Sequence, residues 1–139
     1  MKKADITIIS VISNDEGEEK TEFFTEGSFD KTEEGYTISY AETDEMGYEA
    51  CTVTISASRN KVLIERQGNA ASMLIVEKDM KHHCLYGTPY GEFTMGINTF
   101  KVRNELSEEG GTLFMKYCID IDNDFISENE MLITVKITE

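Results

Sequence analysis

The sequence predicts an all-β protein, a single antiparallel barrel of about eight to ten strands with little helix. Two observations predict this class. Apolar and β-branched residues alternate with polar residues at a period of two, in short runs closed by Gly, Asn, Asp or Glu clusters. Turns such as SRNK and SEEGGT are too short for parallel crossovers, so neighbouring strands should pair as hairpins. A meander of this length removes its exposed edges by closing into a barrel.

Ten segments carry this strand pattern. They cover residues 6–13, 22–29, 36–40, 50–58, 61–66, 71–78, 81–86, 92–106, 112–121 and 132–138. In the eighth segment the apolar phase shifts between Ile97 and Phe100, and such a shift predicts a β-bulge. The acidic stretch DIDNDFISENE precedes the last segment and is interpreted as a turn. A calcium loop is not predicted there, because Phe125 and Met131 occupy its glycine and glutamate positions.

Length and composition limit the function classes. A chain of 139 residues can bury one core, so residues 1–139 are predicted to form one domain. The formal net charge of −14 would repel a phosphate backbone, which disfavours nucleic acid as a partner. No apolar run approaches the roughly 18 residues of a membrane span, and the start MKKADITIIS does not resemble a secretory signal. We therefore expect a cytoplasmic protein with no membrane partner.

The three cysteines are Cys51, Cys84 and Cys118, and each lies in an apolar run. Their odd number and wide spacing predict reduced, buried thiols rather than a disulfide framework. The sequence also lacks the CxxC pairs of a zinc knuckle.

Side-chain parity predicts which residues face the interior, because alternate residues of a strand point to opposite faces. The predicted core comprises Ile6, Ile8, Ile12, Cys51, Val53, Ile55, Val62, Ile64, Leu113, Met115, Tyr117, Ile119 and Ile121. Two charged residues share these apolar faces. Arg66 continues the apolar face of the fifth segment, and Glu49 precedes the apolar face of the fourth.

Arg66 is the main candidate site residue. A buried guanidinium must be paired or solvated, because isolated burial of a charge is costly. One interpretation is structural: Arg66 forms a salt bridge with Glu49, or stacks on Tyr86 or Tyr117. The other interpretation is functional: Arg66 anchors the carboxylate or phosphate of a ligand inside the barrel mouth.

Both histidines lie in the stretch HHCLYGTPYGEFTMG. Pro89 and Gly91 stand at the second and fourth positions of residues 88–91, a spacing that predicts a type I turn and therefore a hairpin corner. His82 shares a face with Cys84, but zinc requires three or four ligands, so no metal is predicted. We expect a hydrogen-bonded His82 beside a buried thiol. No nucleotide-binding or nucleophile motif occurs in the sequence, so no cofactor is predicted either.

A series of short motifs runs along the chain. They are Arg66-x-Gly68, Tyr86-x-Thr88-Pro89-Tyr90-Gly91, Thr99, Gly111 and Tyr117. In this order they resemble the YwiB-like bacterial family, a domain of unknown function with a calycin-like (lipocalin-like) β-barrel, and the resemblance covers nearly the whole chain. It implies a closed or nearly closed antiparallel barrel, a cytoplasmic bacterial protein and no established activity. It supplies no catalytic residues.

Three functions are compatible with these residues. The first is a non-catalytic barrel that binds a small, partly apolar or anionic ligand, since calycin-type barrels hold apolar ligands. Its candidate ligand-binding residues are Arg66, Glu49, Tyr86, Tyr117 and His82. The second is an interaction or structural barrel with a packed lumen, such as a homodimer. The third is an enzyme in which Glu49 acts as acid or base and Arg66 stabilises charge.

Overall fold

The computed structural model describes residues 2–42, 51–68, 71–88, 91–121 and 124–138, and only the backbone of residues 85–88 and 91–93. These residues form ten strands: β1 (Lys2–Asn14), β2 (Gly17–Lys31), β3 (Tyr36–Ala41), β4 (Thr52–Ala57), β5 (Lys61–Gln67), β6 (Ser72–Glu77), β7 (Lys81–Thr88), β8 (Gly91–Ser107), β9 (Gly110–Ile121) and β10 (Asp124–Ile137). Within this part of the chain, no helix has the length and apolar character needed to cross a membrane.

Each strand pairs antiparallel with its neighbours in sequence, and β1 also pairs with β10, so the sheet closes into a barrel. The predicted all-β antiparallel barrel is confirmed. Because consecutive strands run in opposite directions, the odd-numbered strands all end at one rim, the upper rim. The even-numbered strands end at the opposite, lower rim.

The inward positions of the strands are occupied mainly by aliphatic side chains, as the parity of the sequence predicts. The buried members of the predicted core are Ile6, Ile8, Cys51, Val53, Ile55, Val62, Ile64, Leu113, Met115 and Tyr117. Ile119 and Ile121 are partly buried and pack against this core. The prediction for Ile12 is wrong, because its side chain is 41% exposed. Ile12 lies close to the β1–β2 turn and pairs with the exposed Glu19, so the wall there extends beyond the packed interior.

The three cysteines form no disulfide with one another. Cys51 and Cys84 are buried, as predicted, and Cys118 is half-buried on the outward side of β9.

The start of β10 corrects the sequence prediction. β10 begins at Asp124, not at residue 132, so most of the acidic stretch is strand and not turn. A bulge between Phe125 and Ser127 accompanies this early start. The inward residues Ser127 and Asn129 are polar but buried. Because polar residues occupy the inward positions, the alternation that identifies a strand is hidden in the sequence.

β8 contains the predicted bulge. Its register with β9 shifts between Thr99 and Lys101, so Phe100 is the extra residue. The assignment of Phe100 to the apolar face is wrong, since its side chain is 49% exposed. The inward phase resumes at Val102, whose partner on β9 is the buried Met115.

The β6–β7 seam is the least paired part of the wall. Among the described residues it contains one register pair, Ser72 with Tyr86, whereas every other pair of neighbouring strands has at least the five pairs of β2 and β3. Lower in the seam, the backbone N–H of Ile75 donates to the sulfur of Cys84 at 3.3 Å. Burial raises the pKa of the Cys84 thiol, so the sulfur that accepts this bond stays protonated at neutral pH.

Candidate functional site

Arg66 lies on the inward face of β5, close to the upper rim. Val62 and Ile64, which share its parity, are buried in the core. The side chain of Arg66 is 18% exposed, so the predicted inward orientation agrees with the structure. The strand ends one residue later, at Gln67, which places the guanidinium in the mouth of the barrel and not in its centre.

The partner of Arg66 in the described structure is Glu42. The guanidinium donates through Nε and Nη2 to the two carboxylate oxygens of Glu42, and through Nη1 to Ser72 Oγ at 3.2 Å. The Glu42 side chain is only 4% exposed. A two-point contact of this kind fixes the orientation of both groups and compensates for the loss of solvent around them. The prediction that Arg66 is paired is confirmed.

Glu42 is the site residue that sequence reasoning missed. It directly follows β3 and continues the inward parity of Ile38 and Tyr40. The backbone N–H of Glu42 donates to the carbonyl of Cys51 at 2.8 Å, which extends the pairing between β3 and β4 by one step. Parity along β3 was the available signal, and it would have placed this carboxylate inside the barrel.

Tyr40 lies in the same layer, in register with Val53 and, through it, with Arg66. The pKa of Tyr40 is raised to about 12, mainly by burial and also by the charge of Glu42, while the charge of Arg66 acts in the opposite direction. The phenol therefore stays neutral well above the ordinary tyrosine pKa of 10.0. Arg66, Glu42, Tyr40 and Ser72 together are called the rim cluster below.

The raised pKa of Tyr40 predicts that the protein loses stability at high pH. Its contribution is fully present below pH 10.0, where the unfolded tyrosine is neutral, and it decreases as the pH rises toward about 12. Wild-type protein should lose about 2 kcal/mol through Tyr40 by pH 11.5, and Tyr40→Phe should not show this component. Urea unfolding of both proteins at pH 8 and pH 11.5 measures the difference. Identical losses in the two proteins would contradict the burial of this phenol.

A second group of polar residues lies on the opposite wall. Tyr117 is buried on β9, paired with Thr99 of β8 on one side and Asn129 of β10 on the other. Asn129 Nδ2 donates to Ser127 Oγ at 3.0 Å. These three neighbouring inward positions, Thr99, Tyr117 and Asn129, are called the polar row below.

His82 does not belong to either group. Its Nε2 lies 2.8 Å from Glu77 Oε1, so the ring bridges the lower part of the β6–β7 seam. The hydrogen bond expected for His82, beside the buried Cys84, is confirmed. No cluster of three or more His, Cys, Asp or Glu side chains that could hold a metal occurs among the described residues.

Two predicted site residues are not characterised by the structure. Glu49 and the side chain of Tyr86 lie outside the described residues. β7 and β8 pair antiparallel as far as Thr88 with Gly91, and the predicted type I turn, which includes Pro89 and Tyr90, lies outside the described residues. The structure therefore brings Arg66 together with Glu42, and places Tyr117 on another wall and His82 at the seam.

Comparison with known proteins agrees with this architecture. The crystal structure of the ywiB protein from Bacillus subtilis superimposes with a TM-score of 0.87 at 21% sequence identity, covering 99% of this chain and 93% of that chain. At this identity the likeness shows the fold. No curated protein matches the sequence. Residues 6–133 match the family described as domain of unknown function DUF1934. Since this match spans most of the chain and agrees with the YwiB-like motifs, the chain belongs to the DUF1934 family.

Proposed function

We propose that the protein is a non-catalytic barrel that binds one small, partly apolar ligand in its interior. The observation that supports this function is the division of the inward face. Toward the lower rim it is aliphatic, with fully buried Val62, Leu113 and Ile133. Toward the upper rim it carries the rim cluster and the polar row. A ligand with an apolar body and one polar end matches such a surface.

The pairing of Arg66 supports one class of ligand over another. An anionic ligand at Arg66 would meet a guanidinium whose charge Glu42 already compensates, so the ligand's own charge would be buried without full compensation. An uncharged ligand carries no such cost. The geometry therefore favours an apolar or neutral ligand over an anionic one, with the Arg66–Glu42 pair as part of the rim that encloses it.

The resemblance to calycin-type barrels supports the same function, although a shared fold is a weaker argument than a site. We also propose a cytoplasmic location for the binding protein, which its thiols, none of them in a disulfide, support.

Native mass spectrometry of the protein purified from cells tests the proposed function. We expect a non-covalent adduct of defined mass that is released on denaturation. In the variant Ile64→Trp the indole would occupy the space below Arg66 and block the ligand, so the adduct should be missing from its spectrum. Leu63→Trp is the matched control, since Leu63 lies on the outward side of the same strand. Wild-type spectra that contain only the bare chain would exclude a tightly held ligand.

A second function, an interaction barrel that forms a homodimer, is favoured by one observation. Phe24 on the outer wall is 73% exposed and borders a groove of about 530 Å³ between β2, β1 and β10. An exposed aromatic side chain at a groove is a common feature of interfaces. Light scattering across a range of concentrations measures the mass. A dimer that Phe24→Glu converts to monomer would support this function, and monomer at all concentrations would exclude it.

A further inference from the structure

Thr99 carries a buried hydroxyl that the described protein does not satisfy. The residue is 2% exposed, and its Oγ1 has no hydrogen-bond partner. A buried hydroxyl without a partner destabilises the folded state, because the group loses its bonds to water on folding. Valine has the same shape and would avoid this cost. The presence of threonine at this position therefore requires an explanation other than packing.

The side chain of Thr99 lies on the inward face of β8, two residues after the fully buried Ile97. The N–H of Thr99 donates to the carbonyl of Met80, and the carbonyl of Thr99 accepts from the N–H of Asp79, both at 3.2 Å. Both backbone groups of Thr99 thus face away from β9, which makes Thr99 and Tyr117 a non-hydrogen-bonded pair. Side chains are closest in such pairs. The side chain of Thr99 therefore lies beside that of Tyr117 on the inward face.

We propose that the polar row is the subsite for a neutral hydrogen-bonding group of the ligand, with Thr99 Oγ1 as its principal contact. The proposal rests on the function proposed above and names the chemical class of the ligand's polar end. A hydroxyl both donates and accepts, so it bonds equally well to an alcohol or a primary amide.

The composition of the polar row excludes a charged end group. Its members are a hydroxyl, a phenol and a carboxamide, and the hydrogen bond from Asn129 to Ser127 holds the carboxamide in place. No side chain of the row carries a charge that could compensate an ammonium or a carboxylate. Burying an ion there would leave it unpaired, at a cost that a single hydrogen bond does not offset.

Calorimetric titration with three probes of equal chain length tests the proposal: octanamide, octanoate and octylamine. We expect octanamide to bind and the two ionised probes to bind at least tenfold more weakly. Thr99→Val should weaken octanamide binding about tenfold, since one hydrogen bond is lost. The same variant without ligand should melt about 3 °C higher, because it no longer buries an unsatisfied hydroxyl.

Thr94→Val is the matched control, since Thr94 is exposed on the same strand and should change neither property. Octanamide binding that is unchanged in Thr99→Val would overturn the subsite and leave the proposed function intact. Preferential binding of octanoate would overturn the assignment of a neutral polar end group to the ligand. Failure of all three probes, together with bare wild-type spectra, would overturn both the subsite and the function. A lower melting temperature for Thr99→Val without ligand would show that the hydroxyl is satisfied within the protein.

Discussion

Replacing Arg66 with alanine is expected to lower the free energy of unfolding by about 3 kcal/mol. The loss arises because Glu42, whose side chain is 4% exposed, would be left inside the barrel without the guanidinium that compensates it. Ser72 would also lose its hydrogen bond. Urea denaturation at neutral pH measures the change from the shift in midpoint at constant m-value.

Two comparisons show whether the loss comes from the buried pair. Lys31 and Glu108 form an exposed salt bridge at 3.2 Å, and Lys31→Ala should cost less than about 1 kcal/mol. The double replacement Arg66→Leu with Glu42→Leu should recover much of the single-variant loss, since it removes both buried charges. A loss of stability for Arg66→Ala as small as that for Lys31→Ala would show that the pair of Arg66 and Glu42 is solvated.

Replacing Leu113 with alanine is expected to destabilise the protein by about 3 kcal/mol as well, for a different reason. Leu113 is fully buried and faces Ile133, which is also fully buried, across the β9–β10 ladder. The closed wall cannot collapse into the space that a truncated side chain leaves, so the lost contacts are not replaced. Urea denaturation measures this change too.

Leu132→Ala is the control for Leu113→Ala. Leu132 is next to Ile133 on β10, half-buried on the outer face, and is paired with Phe114. Its truncation should cost about 1 kcal/mol, since water replaces the removed atoms. Equal losses in the free energy of unfolding for the two leucines would mean that the outer face around Leu132 is not exposed to water in solution.

The sequence was sufficient to predict the fold, because nearly every strand follows the simple rule of apolar inward and polar outward residues. β5 is an example: Val62 and Ile64 identify its buried face, and the structure confirms them. The prediction was wrong where this rule is broken. Ser127 and Asn129 are polar residues at inward positions, so the first half of β10 resembled a turn.

The candidate site was predicted only in part, for a related reason. Parity placed Arg66 inside the barrel, but parity acts within one strand and does not identify the partner on another. Glu42 is 24 residues from Arg66 along the chain, and two strand pairings bring them together. The polar row depends likewise on two separate registers, which no short motif specifies.

The sparse β6–β7 seam has a consequence for the motions of the native protein. A closed barrel exchanges its amide hydrogens slowly, because every strand is hydrogen-bonded on both sides. Exchange becomes faster where one pair of neighbouring strands can separate while the other pairs stay intact. This seam is such a junction, since one register pair, the Ile75 bond to sulfur and the side-chain contact of His82 with Glu77 hold its two strands together in the described structure. Local opening there would convert the cylinder briefly into a continuous ten-stranded sheet and admit solvent or small solutes from the side. Exchange of the β6 and β7 amides should therefore exceed that of the β1 and β10 amides, whose ladder contains ten register pairs.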